Sequence, residues 1–193
     1  AASPAEAASG SAATVVMVPN PEHVEDVVHG RSGILEGLPE NGLVIVMSTV
    51  DPNSSITVAR KVQSAGFRML EAPVTRSSQH AIDGELGILV GGKAEDLEEA
   101  RDLLLCMGSD VTHCGPIGTG AAMKLANNML SMTNIAVANE VLVLGLKAGL
   151  EIETMLEVLR GTLANNGGLD PSIVDKTLQG DFSPGFMTRL AQK

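Results

Sequence analysis

From Gly118 to Gly149 the chain carries no proline and only three charged residues, Lys124, Glu140 and Lys147. Uninterrupted helical propensity over such a stretch predicts a single helix. At about 1.5 Å per residue it is more than about 40 Å long, longer than a small domain is wide. It is apolar nearly all round, and a helix of that kind must be covered on most sides. The expectation is therefore a core helix that joins two domains or packs against a partner subunit.

The segments before it obey a different period. Thr14 to Val18, Leu43 to Met47 and Phe67 to Leu70 are continuous apolar runs, the pattern of strands buried on both faces. Between them lie helical segments with clear start signals. Ser3-Pro4-Ala5-Glu6 reads as a capping box, Pro19-Asn20-Pro21 precedes a short helix, and Asp51-Pro52 opens a longer one to about Ser64. Leu86 to Val90 and Asp110 to His113 read as further strands, with a helix from Ala94 to Met107 between them. Alternating strands and helices imply βαβ units and a parallel sheet covered by helices. Beyond the long helix the pattern is helical, around Glu151–Arg160, Pro171–Gln179 and Pro184–Lys193. The expected organisation is a Rossmann-like α/β sheet domain over residues 1–115 and an all-helical domain over residues 116–193.

Composition narrows the partners. With 13 basic and 23 acidic residues the formal charge is −10. That argues against sequence-independent nucleic-acid binding, which needs a basic surface. The aromatic residues are Phe67, Phe182 and Phe186, with no Trp or Tyr, so stacking platforms for bases or sugars are not expected. Cys106 and Cys114 make no disulfide framework. No run of about 18 apolar residues free of charge is evident, nor a signal-peptide pattern, and the expected setting is the reducing cytoplasm. The four histidines show no metal-ligand spacing, and no metal is expected.

In an open parallel sheet, ligands bind beyond the carboxyl ends of the strands. Val18-Pro19-Asn20-Pro21, Ser48-Thr49 and Ala72 to Ser78 fall there. Arg76, flanked by Thr75 and Ser77, suits a carboxylate, sulfonate or phosphate. Taken alone it also reads as a solvated loop arginine. A second cluster opens the long helix. Lys124, Asn127 and Asn128 stand at i, i+3 and i+4 and share one face, which Ser131 extends by a turn. A lysine on an apolar helix needs a partner or a task, and a lysine of lowered pKa is a competent general acid or base. Gly118-x-Gly120 with Lys124 does not fit a triphosphate-binding loop, because Lys124 lies inside the helix and no Ser or Thr follows it.

These residues together resemble the β-hydroxyacid dehydrogenases of the 3-hydroxyisobutyrate dehydrogenase type. Glu71-Ala72-Pro73-Val74 is similar to that family's D-A-P-V substrate loop. Gly118-x-Gly120-x-x-x-Lys124-x-x-Asn127-Asn128 is similar to its catalytic helix, and Asp181 to Lys193 to its closing segment. The resemblance implies an oxidoreductase using NAD or NADP, with NAD named first, and Lys124 as general acid or base. It implies that Asn128 holds Lys124 or the substrate oxygen. Val18, Pro19, His23 and Thr49 would lie along the cofactor, with Lys193 at its nicotinamide end. It also implies a homodimer or homotetramer.

The family loop usually continues S-G-G. Here Thr75-Arg76-Ser77 stands in that place, which resembles the 3-sulfolactaldehyde reductase branch, with Thr75, Arg76, Ser77, Asn127, Asn128 and Ser131 as substrate contacts. The expected substrate is a small anionic aldehyde, or its hydroxy acid, whose distal anion meets Arg76. Other readings are a dehydrogenase of 2-(hydroxymethyl)glutarate or 4-hydroxybutyrate type, a phosphogluconate-type decarboxylating enzyme, and a non-catalytic oligomeric module of the same fold. The resemblance also places a first strand, its G-x-G-x-x-G loop and the NAD/NADP selector before Ala1, and further helices after Lys193.

Overall fold

The computed structural model describes residues 1–181. The chain forms two compact units, Ala1–Leu125 and Ala126–Lys193. In chain order the first holds α1 (Pro4–Ala8), β1 (Ala13–Val16), α2 (Pro21–His29), α3 (Ile34–Gly37), β2 (Leu43–Val46), α4 (Pro52–Ser64), β3 (Arg68–Glu71), β4 (Val74–Thr75), α5 (Ser78–Ile82), β5 (Leu86–Gly91), α6 (Ala94–Leu105) and β6 (Gly108–Gly115). Helix α7 (Thr119–Lys147) begins in this unit and runs on into the second. There it is followed by α8 (Ile152–Arg160), a 3-10 turn (Gly167–Leu169) and α9 (Pro171–Leu178).

Strand β2 shows why the apolar runs form a sheet core. Its Val44 and Val46 join a cluster with Val16, Val24, Val28 and Val58. Leu43 and Ile45 join a different cluster with Leu70, Ile88, Leu97 and Leu104. Alternating side chains thus enter layers on opposite faces, as strand geometry dictates, and both faces are buried. Strands β1, β2 and β3 are parallel neighbours, with Val16, Val46 and Glu71 in register at their ends. The helix starts follow the sequence signals. Ser3 accepts from the Glu6 amide, Asn20 from the His23 amide, and Asp51 from the Asn53 and Ser54 amides. At the first of these, Glu6 reaches the amide of Ala2 rather than Ser3, so only half of the expected capping box forms.

The sheet is mostly parallel, and departs from a fully parallel one at β5. That strand runs antiparallel to β3 and β4 and parallel to β6. The link from β4 to β5 contains only the short α5, too little for the crossover helix that a parallel return requires. Elements β4, α5 and α3 and the 3-10 turn lie outside the sequence expectation, because segments this short carry no measurable period.

In the helical unit, Ala138, Leu142, Met155, Leu156, Leu169 and Val174 form the core. A Cβ at Gly145 would lie 2.2 Å from Met155 Cε, so glycine is what lets α7 and α8 approach here. Arg160 closes the unit by donating from Nε and Nη2 to the Leu169 carbonyl at 3.1 and 2.9 Å.

Two expectations about α7 need correction. It is not covered on most sides among the described residues: Met129, Leu130 and Leu144 are 76%, 65% and 68% exposed. Also, Thr119–Lys147 is long and apolar enough to cross a membrane by length and composition, although no such run is evident when charges are counted strictly. Its Lys124, Asn127, Asn128, Asn134, Asn139 and Glu140 are distributed along the helix, polar groups that hydrocarbon would leave costly. By compactness the first unit extends to Leu125, into α7, because the first turn of α7 is bound into the sheet unit. The expected helix Pro184–Lys193 lies outside the described residues.

Candidate active site at the strand ends and the start of α7

The carboxyl ends of β1, β2 and β3 are stitched into one ledge. The Met47 amide donates to the Val16 carbonyl at 2.8 Å, and the Ala72 amide to Val46 at 2.7 Å. One step further out, the Val18 amide donates to Ser48 Oγ at 2.8 Å. Ser48 is buried, and through it Val18, Pro19 and Thr49 are brought together. His23 stands exposed in the first turn of α2, which starts beside this ledge. Lys193 lies outside the described residues.

Next along the ledge is Glu71, the last residue of β3 and 1% exposed. Its Oε1 accepts from the amides of Gly118, Gly120 and Ala121 at 2.7, 2.8 and 3.2 Å. Its Oε2 accepts from the hydroxyl of buried Ser55 on α4. A helix leaves its first amides unpaired and carries partial positive charge there. The residue before α7 is Gly118, at φ +99°, which has no side chain to cap with. A carboxylate from another element does the work. A protein carboxylate thus already occupies the Gly118, Gly120 and Ala121 amides that a phosphate would need. Burial and the Glu71 charge push the nearby Cys114 thiol up from its usual value.

Lys124 follows on α7, one turn beyond Gly120. A Cβ at Gly120 would sit 2.6 Å from the Leu89 carbonyl oxygen, so this face of α7 lies directly on β5. Residues i and i+4 share a face, and Lys124 is half-buried accordingly. Burial lowers its pKa below the ordinary lysine value. Among the described residues no carboxylate pairs with it. In the helical unit, Asn127 Nδ2 donates to Asn128 Oδ1 at 3.5 Å, and Ser131 is exposed.

The loop after β3 gathers the remaining candidates. Thr75 Oγ1 donates to the Gly87 carbonyl at 3.2 Å, and Ser77 Oγ lies 2.7 Å from His80 Nδ1 at the start of α5. Between them Arg76 adopts φ +78°, a left-handed conformation that glycine takes freely and arginine does not. Its guanidinium is already engaged. It pairs with Asp110, donates to the Glu85 carbonyl, and meets Ser109 Oγ at 2.8 Å. The side chains of Arg76 and Asp110 are 33% and 63% exposed, so this pair faces solvent.

A nicotinamide nucleotide fits the residues present at one end only. The Val18–Pro19 and Ser48–Thr49 ledge offers an apolar surface with a half-exposed hydroxyl. No G-x-G-x-x-G stretch occurs among the 193 residues to receive a pyrophosphate.

Fold and ledge together define a nucleotide-binding sheet protein with a helical second unit. The NAD binding domain of 6-phosphogluconate dehydrogenase matches residues 1–115. The family described as NAD-binding of NADP-dependent 3-hydroxyisobutyrate dehydrogenase matches residues 118–193. The chain belongs to the β-hydroxyacid dehydrogenase family, of the 3-hydroxyisobutyrate dehydrogenase type. It is 39% identical over 193 residues to 3-sulfolactaldehyde reductase of Escherichia coli K12, covering 100% of this chain and 65% of that protein. It is 33% identical over 176 residues to 2-(hydroxymethyl)glutarate dehydrogenase of Eubacterium barkeri, covering 91% and 58%. Among solved structures, 3-hydroxyisobutyrate dehydrogenase of Mycobacterium tuberculosis with L-serine superposes at a TM-score of 0.87 with 30% identity, covering 97% of this chain and 65% of that one. The chain thus spans 65% or less of the length of these relatives.

Sequence reasoning missed the roles of Ser48, Ser55 and Glu71. A signal for Glu71 was present: it is the single carboxylate in the run Met69-Leu70-Glu71-Ala72, where a buried charge requires a partner.

Proposed function

We propose that this chain forms the substrate side of an NAD(P)-dependent oxidoreductase that interconverts a small anionic aldehyde and its hydroxy acid. The observation that carries the reading is Lys124: half-buried, of lowered pKa, and seated on the helix shared with named dehydrogenases. The nicotinamide, when bound, supplies or accepts the hydride. Val18, Pro19, His23 and Thr49 would lie along it, and Lys193 at its reactive end.

The protein's own part is the proton and the orientation. In reduction, protonated Lys124 Nζ donates to the carbonyl oxygen as charge develops there. In oxidation, neutral Nζ takes the hydroxyl proton. A lowered pKa brings the neutral form closer to working pH than in an ordinary lysine. On the family resemblance, Asn128 holds the reacting oxygen or the amine, and Asn127, Ser131, Thr75 and Ser77 are the further substrate contacts. Arg76 receives the distal anion, exchanging Asp110 for it. An exposed ion pair is worth only about 0–1 kcal/mol, so Asp110 is a weak competitor.

Sulfonate and carboxylate substrates are both compatible with that arginine, and similarity to a 3-sulfolactaldehyde reductase supports testing the sulfonate first. The enzyme acts as a homodimer or homotetramer, for which the exposed apolar residues of α7 are the observation. The test is nicotinamide absorbance with NADH or NADPH and a panel of short semialdehydes, sulfolactaldehyde included. Turnover restricted to anionic aldehydes supports the proposal, and none with any of them overturns it.

A further inference from the structure

We infer that Glu71 is a positioning residue for the chemistry: it sets the place and rotation of α7, and through them the place of the Lys124 amine. The inference rests on the general acid/base reading of Lys124. Three observations carry it. A carboxylate at the end of β3 takes three amides from the first turn of α7 and a hydroxyl from α4, so one buried group ties strand, helix and helix together. The fit admits little adjustment: a Cβ at Gly91 would lie 2.2 Å from Glu71 Oε1, and one at Gly120 would collide with the backbone of β5. The helix is therefore fixed along its axis by Glu71 and about its axis by Gly120. Lys124 is one turn further on along the same face. No side chain precedes α7 that could cap it instead, since position 118 is glycine.

A carboxylate bonded to helix amides is worth more than a neutral cap, since charge-assisted bonds are shorter and stronger and the helix end is positive. Without it the first turn frays or slides, and Lys124 moves with it. Glu71 itself performs no step in the reaction.

The experiment compares Glu71→Ala, Glu71→Gln and Lys124→Ala in the complete enzyme. Misplacement of a reacting group by about 1 Å costs on the order of 100-fold. Glu71→Ala should therefore lower kcat about 10- to 100-fold while substrate KM changes less than about threefold. Glu71→Gln keeps the shape and one acceptor oxygen, and should fall between Ala and wild type. In both, the Lys124 amine, followed by NMR of its Cε, should titrate closer to an ordinary lysine, because a loosened turn hydrates it. A cap of purely structural value would lower Tm and leave kcat and that titration unchanged well below Tm. Folded Glu71 variants with kcat within about twofold of wild type and an unaltered Lys124 titration overturn the inference. If Glu71→Ala does not fold, Glu71→Gln decides by the same two readings. Full turnover by Lys124→Ala would instead overturn the acid/base reading, and the titration shift would still report on positioning.

Discussion

The sheet unit and the helical unit treat apolar residues in opposite ways. In the sheet unit, Val44, Ile45, Leu70, Ile88 and Leu104 are wholly buried, and the apolar runs of β2, β3 and β5 end inside core clusters; the run of β1 is buried on one face only, with Val15 and Met17 40% and 60% exposed. In the helical unit a small cluster around Leu142 and Met155 is buried, while Met129, Leu130, Val143 and Leu144 stand exposed on the same long helix. The first unit is stabilised by what lies within it. The second leaves several large apolar side chains of its long helix exposed among the described residues.

Measurements can break or sharpen that contrast. The largest effect belongs to the chemistry proposed for the sheet unit: Lys124→Ala should lower turnover by about 10²- to 10⁴-fold with an unchanged circular dichroism spectrum. Retained turnover would remove Lys124 from the chemistry. Next comes packing. Ile45→Ala, at a fully buried site, should destabilise by about 2–5 kcal/mol in denaturant titration. Leu144→Ala should cost less than about 0.5 kcal/mol in a monomer. A Leu144→Ala cost as large as that of Ile45→Ala, together with a shift in oligomer mass, would mean that a partner completes the helical unit.

Smaller still is Arg76→Ala. It should raise KM for an anionic aldehyde about 10- to 100-fold, the loss of one charge-assisted pair, and leave cofactor affinity unchanged. Equal KM for neutral and anionic aldehydes in the wild type would remove Arg76 from the site. The smallest effect concerns stability. Burial lowers the Lys124 pKa in the folded state, so the unfolded chain binds more protons in the interval below the ordinary lysine value. Stability contributed by this group therefore rises with pH across that interval. Lys124→Met should flatten the rise and raise Tm at neutral pH, and a fall in Tm there would contradict the sign.

How much of this was legible depended on distance along the chain. Strand β2 was readable because its five apolar neighbours are adjacent, and α4 because Asp51 caps the residues beside it. The cap of α7 was not, since Glu71 lies 47 to 50 residues from the amides it holds. The same is true of Arg76, whose partner Asp110 is 34 residues away. The loop pattern nominated Arg76 for an anion but could not say which one it meets in the folded chain. Helix α7 was readable in length, whereas its covering was inferred from apolarity alone and proved incomplete among the described residues. Lys124 was found because its spacing with Asn127 and Asn128 lies within two turns of one helix.

The left-handed backbone at Arg76 has an evolutionary consequence. The related loop carries glycine there, a residue that occupies φ +78° without strain. Arginine at this position is thus held against a local conformational preference, and on the proposed function what would retain it is the distal anion of the substrate. In a lineage released from that substrate, mutational drift would favour the return of glycine, so under the proposed function residue 76 would mark which descendants still use an anionic substrate.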